Sequence, residues 1–139
     1  MEVMIENGVI PVVNENDTVS VEELMFTDND ELSGLIAQMV GACRLVLLSN
    51  VDGIYTGHPD APGSRIIESV APGDDLSGYI RSEKSASGRG GMASKYATAR
   101  SVADRGIEVI IANGKRPDVL CQLAEAPESV PHTTFIPAL

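Results

Sequence analysis

Short β-branched runs alternate with helical patterns along this chain, and that alternation restricts its fold more than any other feature. The runs "VIPVV" (9–13), "RLVLLS" (44–49), "EVIIA" (108–112) and "HTTFI" (132–136) have the length and side-chain types of strands. After the first run, Leu32, Leu35, Ile36, Met39 and Val40 fall at i, i+3, i+4, i+7 and i+8, which predicts a helix. Asp28 followed by Glu31 has capping-box spacing in an Asp-led form, so this helix should begin near residues 29–30. Met92, Tyr96, Ala99 and Ala103 predict a second helix, stopped at Gly106. "KRPDVLCQLAEA" predicts a third, with Pro117 at a tolerated early position. Strands separated by helices pair in parallel, because each crossover returns the chain to the same end of the sheet. The expected fold class is α/β, a three-layer αβα sandwich with a mainly parallel sheet.

Two regions interrupt the pattern. "SNVDGIYTGHP" holds an Asp-Gly pair between short apolar stretches and reads as a hairpin. Residues 59–90 are rich in Pro, Gly, Ser and charge, with "RIIESV" as their ordered part; a loop of that length in a compact domain is functional or mobile. The first run lies almost at the start of the chain with no upstream strand to pair with, which predicts that an N-terminal part of the fold is absent. No internal repeat is found.

The 139 residues suit one domain, and 43% hydrophobic with 22% charged content is that of a globular chain. No apolar run approaches the ~18 residues of a membrane span. The N-terminal stretch has acidic residues and no basic region, unlike a signal peptide. Cys43 and Cys121 form no CxxC pair and are expected to be buried, reduced thiols of a cytoplasmic protein. A formal charge of −10 argues against general binding to nucleic acid or acidic membranes. Its distribution is uneven. No Lys or Arg precedes Arg44, whereas six of the ten basic residues (Arg81, Lys84, Arg89, Lys95, Arg100, Arg105) surround one glycine cluster.

That cluster is "SASGRGGMASK", residues 85–95. It is not a Walker A loop, since Arg89 and Ser94 hold the glycine positions and Tyr96 follows the lysine. A dinucleotide fingerprint over Gly88, Gly90 and Ala93 lacks the buried strand it needs beforehand. The helix that follows places Lys95 in its first turn, beside free N–H groups and the positive end of the helix dipole, where an anion could bind. A surface loop with an ordinary exposed lysine fits this stretch equally well.

Polar clusters follow three of the strand runs: "NEND" (14–17), "SNVD" (49–52) and "NGKRPD" (113–118); "TDND" (27–30) precedes the Leu32 helix. Singly, such residues are turn formers and N-caps. Together, at one edge of an α/β sheet, they suit a small zwitterion, with Asp accepting from an ammonium and Asn donating to a carboxylate. A further Asp beside lysines can hold them charged and aimed at a phosphoryl group.

Taken in order, "GVIPVVNENDTVSVEELMFTDNDELSGLIA", "LVLLSNVDGIYTGHP", "SGRGGMASKYATAR" and "GIEVIIANGKRP" resemble successive motifs of the glutamate 5-kinases, within the amino acid kinase family. The resemblance runs over essentially the whole chain. "NEND" with "DND" favours that group over acetylglutamate, aspartate, carbamate and uridylate kinases, which share the fold and the final glycine-lysine loop. It implies transfer of the ATP γ-phosphate to the side-chain carboxylate of L-glutamate, with Mg²⁺, in the first step of proline synthesis. Carried over by motif, Asp17 and Asn29 would bind glutamate, Asp30 would organise the catalytic lysines, and Lys95 would stabilise the transferring phosphoryl group. Ser49 and Asn50 would contact the nucleotide, with Tyr55 and Pro59 near the adenine. Arg89, Gly90, Gly91, Met92, Ala93, Ser94 and Lys95 would form the loop over its phosphates. No protein metal ligand is implied.

The family pattern has Thr-Asp where this chain has Ser49-Asn50, Thr where it has Arg89, and Asp where it has His58. The family's first strand with its own lysine, its glycine-rich loop and part of the glutamate site have no counterpart. The resemblance also ends before any C-terminal RNA-binding-type module. The expectation is a partial kinase domain over 1–139, with glutamate-site motifs at 14–30 and a nucleotide-binding part at 44–139, inactive alone and self-associating through its unpaired edges. The alternative is a non-catalytic nucleotide-binding or interaction module derived from such a kinase.

Overall fold

The computed structural model describes residues 1–14, 29–80 and 91–139. In chain order these form α1 (Glu2–Glu6), α2 (Asn29–Met39), β1 (Arg44–Ser49), β2 (Ser69–Val70), α3 (Ser77–Ile80), α4 (Met92–Ala103), β3 (Glu108–Asn113), α5 (Val119–Glu125), a 3₁₀ turn (Pro127–Ser129) and β4 (His132–Phe135). The sheet runs β1-β3-β4-β2. β1 pairs with β3 in parallel, Arg44 opposite Glu108 through Ser49 opposite Asn113. β2 pairs with β4 in parallel, and β3 with β4 antiparallel.

Side-chain alternation along β3 divides the interior. Val109 and Ile111 join Leu47, Ala99, Val102, Ala103, Val70 and Phe135 in one core, beneath α2 and α4. Ile110 and Ala112 face the other way and meet Val119 and Leu123 of α5 and Val130. β3 therefore has apolar side chains on both faces, as a central strand covered by helices requires. The expected three-layer αβα sandwich is the one observed.

The pairs α2–β1 and α4–β3 are built alike. Each helix ends on a glycine in the left-handed region, Gly41 at φ 62° and Gly106 at φ 86°. In each, the next amide reaches back five residues, Ala42 N–H to Ala37 O at 2.9 Å and Ile107 N–H to Val102 O at 3.4 Å. This is the Schellman arrangement, and glycine adopts it without a Cβ clash. The chain then reverses directly into the strand. Each helix consequently runs antiparallel to its strand, and the N-termini of α2 and α4 lie at the carboxyl ends of β1 and β3. The two helices also touch through a close approach at Gly34, where a Cβ would lie 3.0 Å from Thr98 Cγ2 and Val102 Cγ2.

Several expectations change. Residues 9–13 form no strand; Ile10 and Val12 are 86% and 94% exposed. Pro11 offers no N–H, and among the described residues no strand lies beside them to complete a ladder. Of the predicted apolar stripe on α2, Leu35 and Met39 are exposed, while the small residues Gly34 and Ala37 are the buried ones. Pro117 precedes α5 rather than entering it, and Asp118 at φ 53° turns the chain into the helix. The hairpin is real but displaced: Tyr55 bridges Ile66, so the reversal lies at 57–64 and not at Asp52-Gly53. Cys43 and Cys121 are exposed, not buried. The Asp28 cap lies outside the described residues.

Candidate phosphate and nucleotide site

Lys95 and Asp30 meet where the two helix starts come together. Lys95 Nζ donates to Asp30 Oδ1 at 3.0 Å and to Oδ2 at 2.8 Å. The two side chains are only 13% and 15% exposed. Both come from first turns, so the α-helical geometry that the apolar spacing dictates is what brings residues so distant in sequence into contact. α4 is preceded by Gly91 in an extended conformation, a residue with no side chain of its own to cap the first amides. A lysine ammonium beside the first-turn amides of a helix is an anion-binding arrangement. Asn29, adjacent to Asp30, is exposed at the same helix start.

The carboxyl ends of β1 and β3 bring two other predicted clusters together. Ser49 is opposite Asn113, and its carbonyl accepts the Gly114 N–H at 2.8 Å. Asn50 is exposed, and its Oδ1 lies 3.5 Å from the Ser49 hydroxyl. Asp52 accepts from Arg116 Nε at 2.7 Å, Arg116 Nη2 at 2.9 Å and Asn113 Nδ2 at 3.1 Å. The bidentate guanidinium holds the Asp52 carboxyl below its ordinary value, against the opposing effect of desolvation. Desolvation raises the Tyr55 phenol, and the neighbouring Asp52 charge adds to it. Pro59 lies in the 57–64 reversal, beside the exposed His58.

Of the predicted phosphate-loop residues, Gly91 to Lys95 are described; Arg89 and Gly90 are not, and neither is Asp17. Met92 turns toward the core. Arg100 and Arg105 do not belong to a shared cationic surface at the glycine cluster. Arg100 donates to the carbonyls of Ala71 and Asp74, and Arg105 to that of Ser101. Together with Tyr96, whose hydroxyl accepts the Leu76 N–H at 3.1 Å, Arg100 fastens residues 71–76 onto α4. Sequence reasoning grouped Asp52, Asn113 and Arg116 in polar clusters without a role. Their signal was position alone, directly after two strands that pair.

Among the described residues no group of three or more His, Cys, Asp or Glu side chains could hold a metal ion. No helix among the described residues is long and apolar enough to cross a membrane.

The model of the amino acid kinase family matches residues 1–113, and the chain belongs to that family. It is 60% identical over 138 residues to the glutamate 5-kinase of Bacteroides thetaiotaomicron, covering 99% of this chain and 38% of that protein. Identity to the glutamate 5-kinase of Symbiobacterium thermophilum is 48% over 92% of this chain and 49% of that protein. For that of Chlorobaculum tepidum it is 47%, over 88% and 34%. The chain thus spans a third to a half of the length of these relatives.

Solved structures share the fold at low identity. An isopentenyl phosphate kinase substrate complex superposes with TM-score 0.58 at 17% identity, over 78% of this chain and 40% of its own. Carbamate kinase from Giardia lamblia bound to AMP-PNP gives 0.54 at 22%, over 80% and 36%.

Proposed function

We propose that this chain supplies the nucleotide-binding part and part of the acceptor site of an ATP-dependent glutamate 5-kinase, which phosphorylates the side-chain carboxylate of L-glutamate to glutamyl 5-phosphate. The observation that carries this is the Lys95–Asp30 pair between two helix starts, joined to the likeness to glutamate 5-kinases along nearly all of the chain. In this reading residues 14–30 contribute to the glutamate site, through Asp17 and Asn29, and residues 44–139 hold the nucleotide.

Lys95 keeps an N–H beyond the two it gives Asp30, and Asp30 keeps the ammonium aimed. As negative charge shifts between the γ-phosphate and the oxygens around it, that ammonium and the α4 amides stabilise it. Ser49 and Asn50 contact the nucleotide, Tyr55 and Pro59 lie toward its base, and residues 89–95 pass over its phosphates. Mg²⁺, bound to the ATP phosphates, would neutralise part of their charge. Reaction in the cytoplasm and self-association belong to the same reading; the outer edge of β1, unpaired among the described residues, and the exposed Ile10 and Val12 support the latter.

Calorimetric titration with Mg-ATP tests this. Lys95→Ala should weaken binding by about 100-fold, the scale of losing one preorganised charge in a protected site. Asn29→Ala should leave Mg-ATP affinity intact and weaken L-glutamate. A folded wild-type chain that binds Mg-ATP no better than Lys95→Ala does would reject the assignment.

A further inference from the structure

The segment 50–56 after β1 is fastened at several points. Its Ile54 N–H donates to the buried Thr133 Oγ1 at 2.8 Å. Gly53 packs so closely on β4 that a Cβ would lie 2.5 Å from that same oxygen. Tyr55 bridges Ile66 across the hairpin. These ties fix the inner half of the segment. The outer half, carrying Asn50 and Asp52, is held from the opposite side by the loop after β3.

That second loop is itself pre-shaped. The Asn113 side-chain carbonyl accepts the Lys115 N–H at 3.0 Å, and its backbone carbonyl accepts the Arg116 N–H at 3.2 Å. The Asn113 amide then donates to Asp52, and Arg116 closes on the same carboxylate with both prongs of its fork. A planar guanidinium paired this way fixes direction as well as distance. Two successive strand ends are thereby locked into one unit at the sheet's carboxyl edge.

We propose that Asp52 and Arg116 are positioning residues, a clamp that sets Asn50 and Tyr55 for the nucleoside end of the nucleotide while leaving the phosphate end to Lys95. This rests on the kinase reading above. It adds that affinity is divided: the clamp governs the base and ribose, and the α2–α4 junction governs the phosphates.

The test compares Mg-ATP with Mg-tripolyphosphate, which keeps the phosphate chain and lacks the nucleoside. Arg116→Ala and Asp52→Asn should each weaken Mg-ATP by about tenfold, the cost of losing a charged hydrogen-bonded pair. Neither should change affinity for Mg-tripolyphosphate, and the double variant should be no weaker than either single one. Arg116→Lys, keeping the charge without the fork, should fall between wild type and Arg116→Ala. Thermal melts confirm that the variants are folded, which the solvent-facing position of Arg116 permits. Unchanged Mg-ATP affinity, or equal loss of both ligands, would overturn the clamp and leave the kinase reading standing. A wild-type chain that binds neither ligand removes the kinase reading and the clamp with it.

Discussion

Two ion pairs cross the same edge of this sheet, and they are built for opposite tasks. Lys95–Asp30 joins two helix starts and is nearly enclosed, with side chains 13% and 15% exposed. Arg116–Asp52 joins two loops, and its arginine is 41% exposed. The first uses a lysine, a point charge on a rotatable stem that can turn from a carboxylate toward an arriving phosphate. The second uses a rigid fork that gives one geometry and resists exchange. Enclosure strengthens the field of the first pair at the place where charge would be handled. Exposure makes the second pair weak as a source of stability and useful as a brace.

The difference is sharpest in what happens when a cation is removed. Lys95→Met leaves Asp30 little exposed and without its cation, and should cost about 2–3 kcal/mol, below the full penalty of a buried pair because some solvent access remains. Converting Asp30→Asn in the same chain should restore most of that loss. Arg116→Ala should cost clearly less than Lys95→Met, and less again at high salt. Urea unfolding of the three variants beside wild type measures these values. Equal costs for Lys95→Met and Arg116→Ala would erase the distinction between the pairs.

A substitution remote from both pairs should separate them again. Gly34 lets α2 approach α4, with no room for a branched side chain against Thr98 and Val102. Gly34→Val should push the helices apart and cost about 2 kcal/mol, in the range of core overpacking. The shift would part Lys95 from Asp30 while leaving Asp52 and Arg116, on the strand-end loops, in place. Mg-tripolyphosphate binding should therefore fall in Gly34→Val, opposite to the Arg116→Ala pattern. Retained affinity would mean that the helix spacing does not set the phosphate site.

How far the sequence foretold this depends on the kind of pattern involved. β3 was legible because a strand covered on both faces needs unbroken apolar residues, which "EVIIA" supplies, and β1 from the apolar run in "RLVLLS", although its Leu48 is exposed. α4 was legible from both ends, with Met92, Tyr96, Ala99 and Ala103 inward and Gly106 as its stop. "VIPVV" has the same local character but no partner beside it among the described residues, and strand formation is decided by partners. Asp52-Gly53 misled for a related reason. Its glycine serves a close approach to Thr133, a tertiary demand that dipeptide statistics do not contain. At the site, the helix starts carrying Asp30 and Lys95 were predicted from local pattern, whereas their pairing was implied only by the family resemblance, because local spacing does not state that α2 and α4 are neighbours. The Asp52–Arg116 pair was hidden in the same way, since it depends on β1 and β3 pairing in register.

The smallest expected effect concerns acid. Asp52's carboxyl is held below its ordinary value of 3.8 in the folded chain, chiefly by Arg116, and titrates ordinarily once unfolded. Lowering the folded value means the unfolded state takes up the proton first as pH falls. The stabilisation is therefore complete above about pH 4–5 and is lost as pH drops through the folded value. Arg116 stays charged throughout and adds no pH dependence of its own. Wild type and Asp52→Asn should thus differ by about 1 kcal/mol or less at pH 7, the scale of a partly exposed pair, and converge once the pH falls below the folded value. Urea unfolding across that range measures the gap. A gap that persists unchanged in acid would mean that Asp52 acts through its hydrogen bond to Asn113 and not through its charge, and the brace at this edge would then be neutral.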